Sequence, residues 1–157
     1  MSVLTLEEVE ALAREAHAGQ TDKAGLPYVE HLAAVAHGVR ERGGSTDQIA
    51  AAWLHDAIED DVLSRDWLAT APLTPHTKEL VDAMTKREDE PLEAYAARLR
   101  ATPGAVLIKA ADVAHNADPA RLARLDPATR ERLSAKYART RQLLGLPDTE
   151  DRPAAEG

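Results

Sequence analysis

Apolar positions along this chain gather in stretches separated by Gly, Pro and polar residues, and nowhere do they alternate with polar ones over a strand's length. That pattern predicts helices. Thr5 stands three residues before Glu8, the spacing of a capping box, and predicts a helix to about Ala18 with Gly19 as its stop. Gln20 to Pro27, with Gly25 and Pro27, reads as a loop. A second helix is expected from Tyr28 to Arg42, ending at Gly43-Gly44; Ser45 and Gln48 then open a third, through Trp53 to about Glu59. Thr74-Pro75, Thr102-Pro103, Asp118-Pro119 and Asp126-Pro127 each pair an N-cap side chain with Pro at the first helical position, where its missing N–H costs nothing. Pro91 opens a shorter helix, and Gly145 and Pro147 close the last. The expected architecture is all-α, one helical domain over residues 1–147, followed by an acidic tail at 148–157 expected to be disordered.

Composition narrows this picture. A chain of 157 residues forms one domain and buries roughly 70% of the surface exposed when unfolded. With no Phe and only 3% aromatic residues, its core must be built from Leu, Val, Ile and Ala, which suits close-packed helices. The absence of Cys excludes disulfides and thiolate metal sites. A net charge of −8 argues against a nucleic-acid partner. It leaves room for a small anionic nucleotide, because a metal and a few lysines outweigh the global charge locally. The start, Met-Ser-Val-Leu-Thr-Leu-Glu-Glu, lacks the basic and apolar regions of a signal peptide, and no apolar run is long enough to span a membrane. The expected location is the cytoplasm, with no membrane partner.

Candidate chemistry concentrates in Ile49-Ala-Ala-Ala-Trp-Leu-His55-Asp56-Ala-Ile-Glu59-Asp60. On a continuous helix, His55 and Glu59 are four apart, as are Asp56 and Asp60, so the four polar groups share one side. Crowded carboxylates beside apolar residues repel one another and lose solvation, and a cation among them offsets both costs. His31 lies in another apolar stretch, Tyr28-Val-Glu-His31-Leu-Ala-Ala-Val. Asp112 lies in a third, where Lys109, Asp112 and Asn116 share a face. Each alone has a plain explanation: a hydrogen-bonded core His, or a Lys109–Asp112 pair on a solvated edge. Together, two imidazoles and two carboxylates from three apolar segments suit Mn²⁺, Fe²⁺ or Zn²⁺.

The order His31, His55-Asp56, Asp112 resembles the H…HD…D signature of the HD-domain phosphohydrolases. More fully, His17-Ala-Gly-Gln20, Gly25-Leu-Pro-Tyr28-Val-Glu-His31, Ala52-Trp-Leu-His55-Asp56-Ala-Ile-Glu59-Asp60 and Lys109-Ala-Ala-Asp112-Val-Ala-His115-Asn116 resemble the hydrolase half of the stringent-response RelA/SpoT proteins and the small alarmone hydrolases. The resemblance covers residues 8 to 145. It implies an HD-type bundle with a central Mn²⁺ on His31, His55, Asp56 and Asp112, and hydrolysis of the 3′-pyrophosphate of ppGpp. It assigns Glu59 and Asp60 to activation of the attacking water, and places Asn116 and Lys23 at the nucleotide. Lys109 either neutralises phosphate or pairs with Glu59 or Asp60 and holds it in place, and the roles of His17 and His115 stay open. The loop reads Asp22-Lys23-Ala24-Gly25 where alarmone hydrolases carry Arg-Lys, and Asp22 is expected to repel an anionic ligand. Three readings follow: an alarmone hydrolase, an HD phosphohydrolase for another nucleotide or phosphoester, and a catalytically silent metal- or nucleotide-binding module.

Overall fold

The computed structural model describes residues 2–147 and is all-helical; among them only an isolated bridge between Thr21 and Pro27 has β character. The tail expected at 148–157 lies outside the described residues. In chain order the helices are α1 (Leu6–Ala16), α2 (Tyr28–Glu41), α3 (Thr46–Leu54), α4 (Arg65–Thr70), α5 (Pro75–Met84), α6 (Leu92–Ala101), α7 (Ala105–Asn116), α8 (Pro119–Leu122) and α9 (Pro127–Leu144).

Local chemistry sets most of these boundaries. Both capping boxes form, at Thr5/Glu8 and Ser45/Gln48. Thr74, Asp118 and Asp126 each cap a helix that begins with Pro, and Gly145 ends α9 in the left-handed region.

Two expectations fail and one helix is additional. Thr102-Pro103 does not start a helix: Thr102 Oγ1 donates back to the Arg98 carbonyl, and α7 begins only after Gly104, at φ +90°. The short α4, capped by Ser64, was not foreseen. The third helix ends at Leu54 rather than near Glu59, so the spacing argument for four groups on one helical side does not apply. The physical reason is His55. Its Nδ1 lies 2.6 Å from the Ala52 carbonyl, the acceptor that Asp56 N–H would use if the helix continued. The chain then turns through 55–63, with Asp61 at φ +59°.

α3 is the central helix, buried from Ile49 to Leu54, and it packs against α1, α2, α5 and α7. Around it lie Leu32, Val35 and Val39 of α2, Leu80 and Met84 of α5, and Ile108 of α7. As expected without Phe, aliphatic residues dominate this core, with Trp53 and Tyr95 as its large rings. One close approach matters for function. A Cβ at Gly38 on α2 would stand 3.2 Å from the Ala111 Cβ on α7. Small residues there bring the two backbones together, one position before Asp112 and two turns after His31.

The α5–α6 connection borders the site and is clamped by one ion pair. Arg98 donates through Nε and Nη2 to the two Glu90 oxygens, at 2.7 and 2.9 Å, and through Nη2 to the Thr85 carbonyl at 2.9 Å. Those bonds hold the Glu90 carboxyl down at about 2, against its usual 4.5. A depressed folded-state pKa stabilises the fold above the unfolded value and loses that contribution as pH falls from about 4.5 toward 2. Denaturant melts of wild type and Arg98→Met should therefore differ most near pH 7, and the gap should narrow toward pH 2 to what the bonds to the Thr85 and Asp82 carbonyls contribute.

Candidate metal centre

Three buried side chains from α2, the end of α3 and α7 converge in the middle of the bundle: His31, His55 and Asp112. Each offers one ligand atom, and those atoms lie within 4.8 Å of one another. Asp112 Oδ1 is 3.0 Å from His31 Nε2 and 3.3 Å from His55 Nε2. Asp56 Oδ2 adds a second carboxylate oxygen 3.1 Å from His55 Nε2.

The protonation pattern tests whether a cation fits. His55 Nδ1 meets only a carbonyl, so it carries a proton, and Nε2 is the ring nitrogen that faces the centre. That Nε2 is buried without a hydrogen-bond partner, yet two carboxylate oxygens stand close by. His31 repeats the arrangement: its Nδ1 lies 2.7 Å from His115 Nδ1, and the pair shares one proton. Burial first, then the neighbouring His31 and Arg121, push His115 down to about 4, so it is neutral at pH 7 and can accept. His31 Nε2 in turn stands 3.0 Å from Asp112 Oδ1. Burial would lower the His55 pKa, yet Asp56 and Asp112 hold it well above the ordinary imidazole value: the buried carboxylates draw positive charge into the centre, and a divalent ion supplies it. This gives His115 the part of an outer partner orienting a ligand, which the sequence left open.

Around this centre the carboxylates are supported individually. Asp112 accepts from Lys109 Nζ at 3.0 Å on Oδ2 and from Asn116 Nδ2 at 3.2 Å on Oδ1. Burial would raise the Asp112 pKa, but Lys109 and the His31 bond hold it well below the carboxylate range. Burial would likewise lower Lys109, and Asp112 more than offsets it. Lys109 thus pairs with Asp112 rather than with Glu59 or Asp60, and does so in the interior, not on a solvated edge. The Tyr28 hydroxyl donates to Asp56 Oδ2, and its ring stacks on His17 at 5.5 Å. His17 Nδ1 in turn meets Gln20 Oε1 at 2.8 Å, and Gln20 Nε2 donates to Asp60 Oδ2 at 3.0 Å. Sequence reasoning missed Tyr28, although its place three residues before His31 puts it on the same helical face. Replacing it with Phe removes one donor to Asp56 and keeps the ring. Mn²⁺ titration of Tyr28→Phe should show affinity lowered about 10-fold or more, the usual effect of losing an outer hydrogen bond, with little change in melting temperature.

Two cavities open on either side of Tyr28, Asn116 and Tyr137, which line both. The smaller, about 160 Å³, holds Asp56, Glu59, Asp112, Lys86, Lys109 and Lys136. The larger, about 370 Å³, holds Gln20, Lys23, Asp60 and Arg121 with Leu125 and Leu133 on its wall. Glu59 and Asp60 therefore face different cavities. Glu59 Oε1 accepts from the Lys86 backbone N–H at 2.9 Å. Desolvation, and after it the Asp56 charge, raises both Glu59 and Asp60 above ordinary carboxylates.

A family model described as the HD domain matches residues 10–145. The chain belongs to the HD-domain family. This HD domain is similar to the guanosine-3′,5′-bis(diphosphate) 3′-pyrophosphohydrolase of Vibrio cholerae, 41% identical over 90 residues, which are 53% of this chain and 12% of that protein. The Haemophilus influenzae protein of the same name is 32% identical over 116 residues, 67% of this chain and 17% of that one. A probable enzyme of that name from Synechocystis sp. is 40% identical over 74 residues, 47% of this chain and 10% of its own length. The matched segments are thus a small part of these longer relatives. Among the described residues, no helix of this HD domain is long and apolar enough to cross a membrane.

Asp22 requires a correction. Its Oδ1 accepts from the N–H groups of Ala24 and Leu26, both at 2.9 Å, and its Oδ2 accepts from Arg121 Nη1 at 2.8 Å. The carboxylate closes the loop and is matched by a cation from α8, so it does not present a bare negative charge to a ligand. Lys23, beside it, is exposed at the cavity wall. The sequence could not show this pair, whose members are 99 positions apart.

Proposed function

We propose that this HD domain is a metal-dependent phosphohydrolase that removes the 3′-diphosphate from guanosine-3′,5′-bis(diphosphate), with Mn²⁺ held by His31, His55, Asp56 and Asp112. The observation that carries the reading is the buried, unpartnered His55 Nε2 facing Asp112 and Asp56. The activity for which the similar proteins are named supports the choice of substrate.

A divalent ion in this position supplies Lewis-acid polarisation of a phosphoryl oxygen and makes a water acidic enough to attack near neutral pH. The chain's own residues do the rest. Glu59 shares the smaller cavity with Asp56 and Asp112, and its raised pKa makes it a stronger base than an exposed carboxylate, suited to take the proton of the attacking water. The Lys86 N–H holds that carboxylate in orientation. Lys86 and Lys136 line the same cavity and offset the charge of the transferred phosphoryl group. Lys109 is engaged by Asp112 and acts mainly by fixing that ligand. Asp60, held by Gln20, borders the larger cavity with Lys23 and Asn116, where the nucleoside end fits.

The test is a hydrolysis assay of the chelated, then Mn²⁺-restored, protein on ppGpp and a panel of nucleotides and phosphoesters. Release of diphosphate and GDP from ppGpp, dependent on restored metal, is expected. Turnover of a different phosphoester alone shifts the reading to that substrate, and no turnover of any panel member leaves a binding module.

A further inference from the structure

The larger cavity contains a charge arrangement that the fold does not need for its core. Arg121 and Asp22 meet at 2.8 Å with side chains 17% and 6% exposed, and both line the cavity wall. Asp22 Oδ2 is the hydrogen-bond partner of the guanidinium among the described residues, so one edge of a five-donor fork is engaged and the remainder is available to an occupant. The pair is close to neutral as a unit. A guanidinium whose charge is already matched by a buried carboxylate holds a multiply charged phosphate poorly, because the pair offers it no net positive charge. What the pair retains is geometry: coplanar N–H donors, held at a fixed angle, suited to two adjacent neutral acceptors. Leu125 and Leu133 with the ring of Tyr137 add an apolar wall for a flat ring, and the volume of about 370 Å³ is within the range that holds a nucleoside.

We infer that Arg121, pinned by Asp22, is the specificity-determining residue through which this cavity selects a 6-oxopurine base over a 6-aminopurine. A 6-oxopurine presents O6 and N7 as adjacent acceptors, matching the fork, whereas a 6-aminopurine turns a donor toward it. The inference rests on the nucleotide-hydrolase reading for its substrate class. It also explains the departure in the loop: the cation absent at position 22 is supplied from α8, and Asp22 serves as its anchor.

The test is calorimetric binding of GDP, IDP and ADP to the Mn²⁺-loaded protein, for wild type, Arg121→Gln and Arg121→Lys, with melting curves of all three. Wild type should bind GDP and IDP at least about 10-fold more tightly than ADP, the scale of one bidentate base contact. Arg121→Gln should lose most of that preference. Arg121→Lys keeps a cation for Asp22 without the fork, and should retain the wild-type melting temperature while losing the preference. Equal binding of GDP and ADP by wild type, unmeasurable GDP binding, or a preference that survives in both variants overturns the inference. Base preference in a protein that does not hydrolyse ppGpp would overturn ppGpp as the substrate and leave this inference intact.

Discussion

His55→Ala should strip the protein of its metal and abolish turnover. The His55 ring makes one hydrogen bond outside this centre, to the Ala52 carbonyl where α3 ends, so metal-free variant and metal-free wild type are compared to separate the lost ligand from the lost bond. Asp112→Ala is a poorer probe, because it also strands Lys109, 3.0 Å away and largely buried, without a counter-charge. Leaving such a charge unpaired costs about 3–5 kcal/mol by itself. The decisive control is chelation. An ion that binds only the folded state, at a free concentration a thousand times its Kd, stabilises by about 4 kcal/mol. For a domain of this size that corresponds to roughly 10 °C in Tm. A chelator should lower the wild-type Tm on this scale and have no effect on His55→Ala. Equal chelator responses, or full metal occupancy in the variant, would remove His55 from the ligand set.

Glu59→Gln should slow hydrolysis by about 100-fold or more, the usual contribution of a positioned base, with metal content unchanged. Gln keeps the carbonyl acceptor for the Lys86 N–H, so the local fold is preserved. The parallel Asp60→Asn variant distinguishes the two carboxylates. Asp60 lines the other cavity and is held by Gln20, so its loss should raise KM more than it lowers kcat. If Asp60→Asn carries the kcat defect and Glu59→Gln does not, the roles assigned from the two cavities are reversed. Near-native rates in both variants would make the pair surface acids.

Much of the architecture could be read locally, because caps act over three or four residues. Thr5/Glu8, Ser45/Gln48, Thr74-Pro75 and Asp126-Pro127 all behave as their spacing predicts. The errors arise where a tertiary contact competes with the local rule. The ring of buried His55 takes the carbonyl that would extend α3, and Thr102 turns back onto α6. The same distinction holds for the site. His31, His55 and Asp112 were legible as polar groups in apolar segments, and the structure brings them together. Asn116 and Lys109 were legible as sharing the Asp112 face, and they do contact it. Arg121, Lys86 and the outer role of His115 were not, because each acts across many intervening residues and carries no spacing signal. Asp22 shows the hazard most clearly: read as a lone charge it opposes an anionic ligand, but folded it is half of an ion pair.

The most direct test of the metal centre is a crystal grown with Mn²⁺ and measured at the manganese absorption edge. An anomalous peak within about 2.0–2.3 Å of His31 Nε2, His55 Nε2, Asp56 Oδ2 and Asp112 Oδ1, the distance range of first-row metal–ligand bonds, is the predicted result. A peak elsewhere, or none at this position with Mn²⁺ bound in solution, would contradict the account.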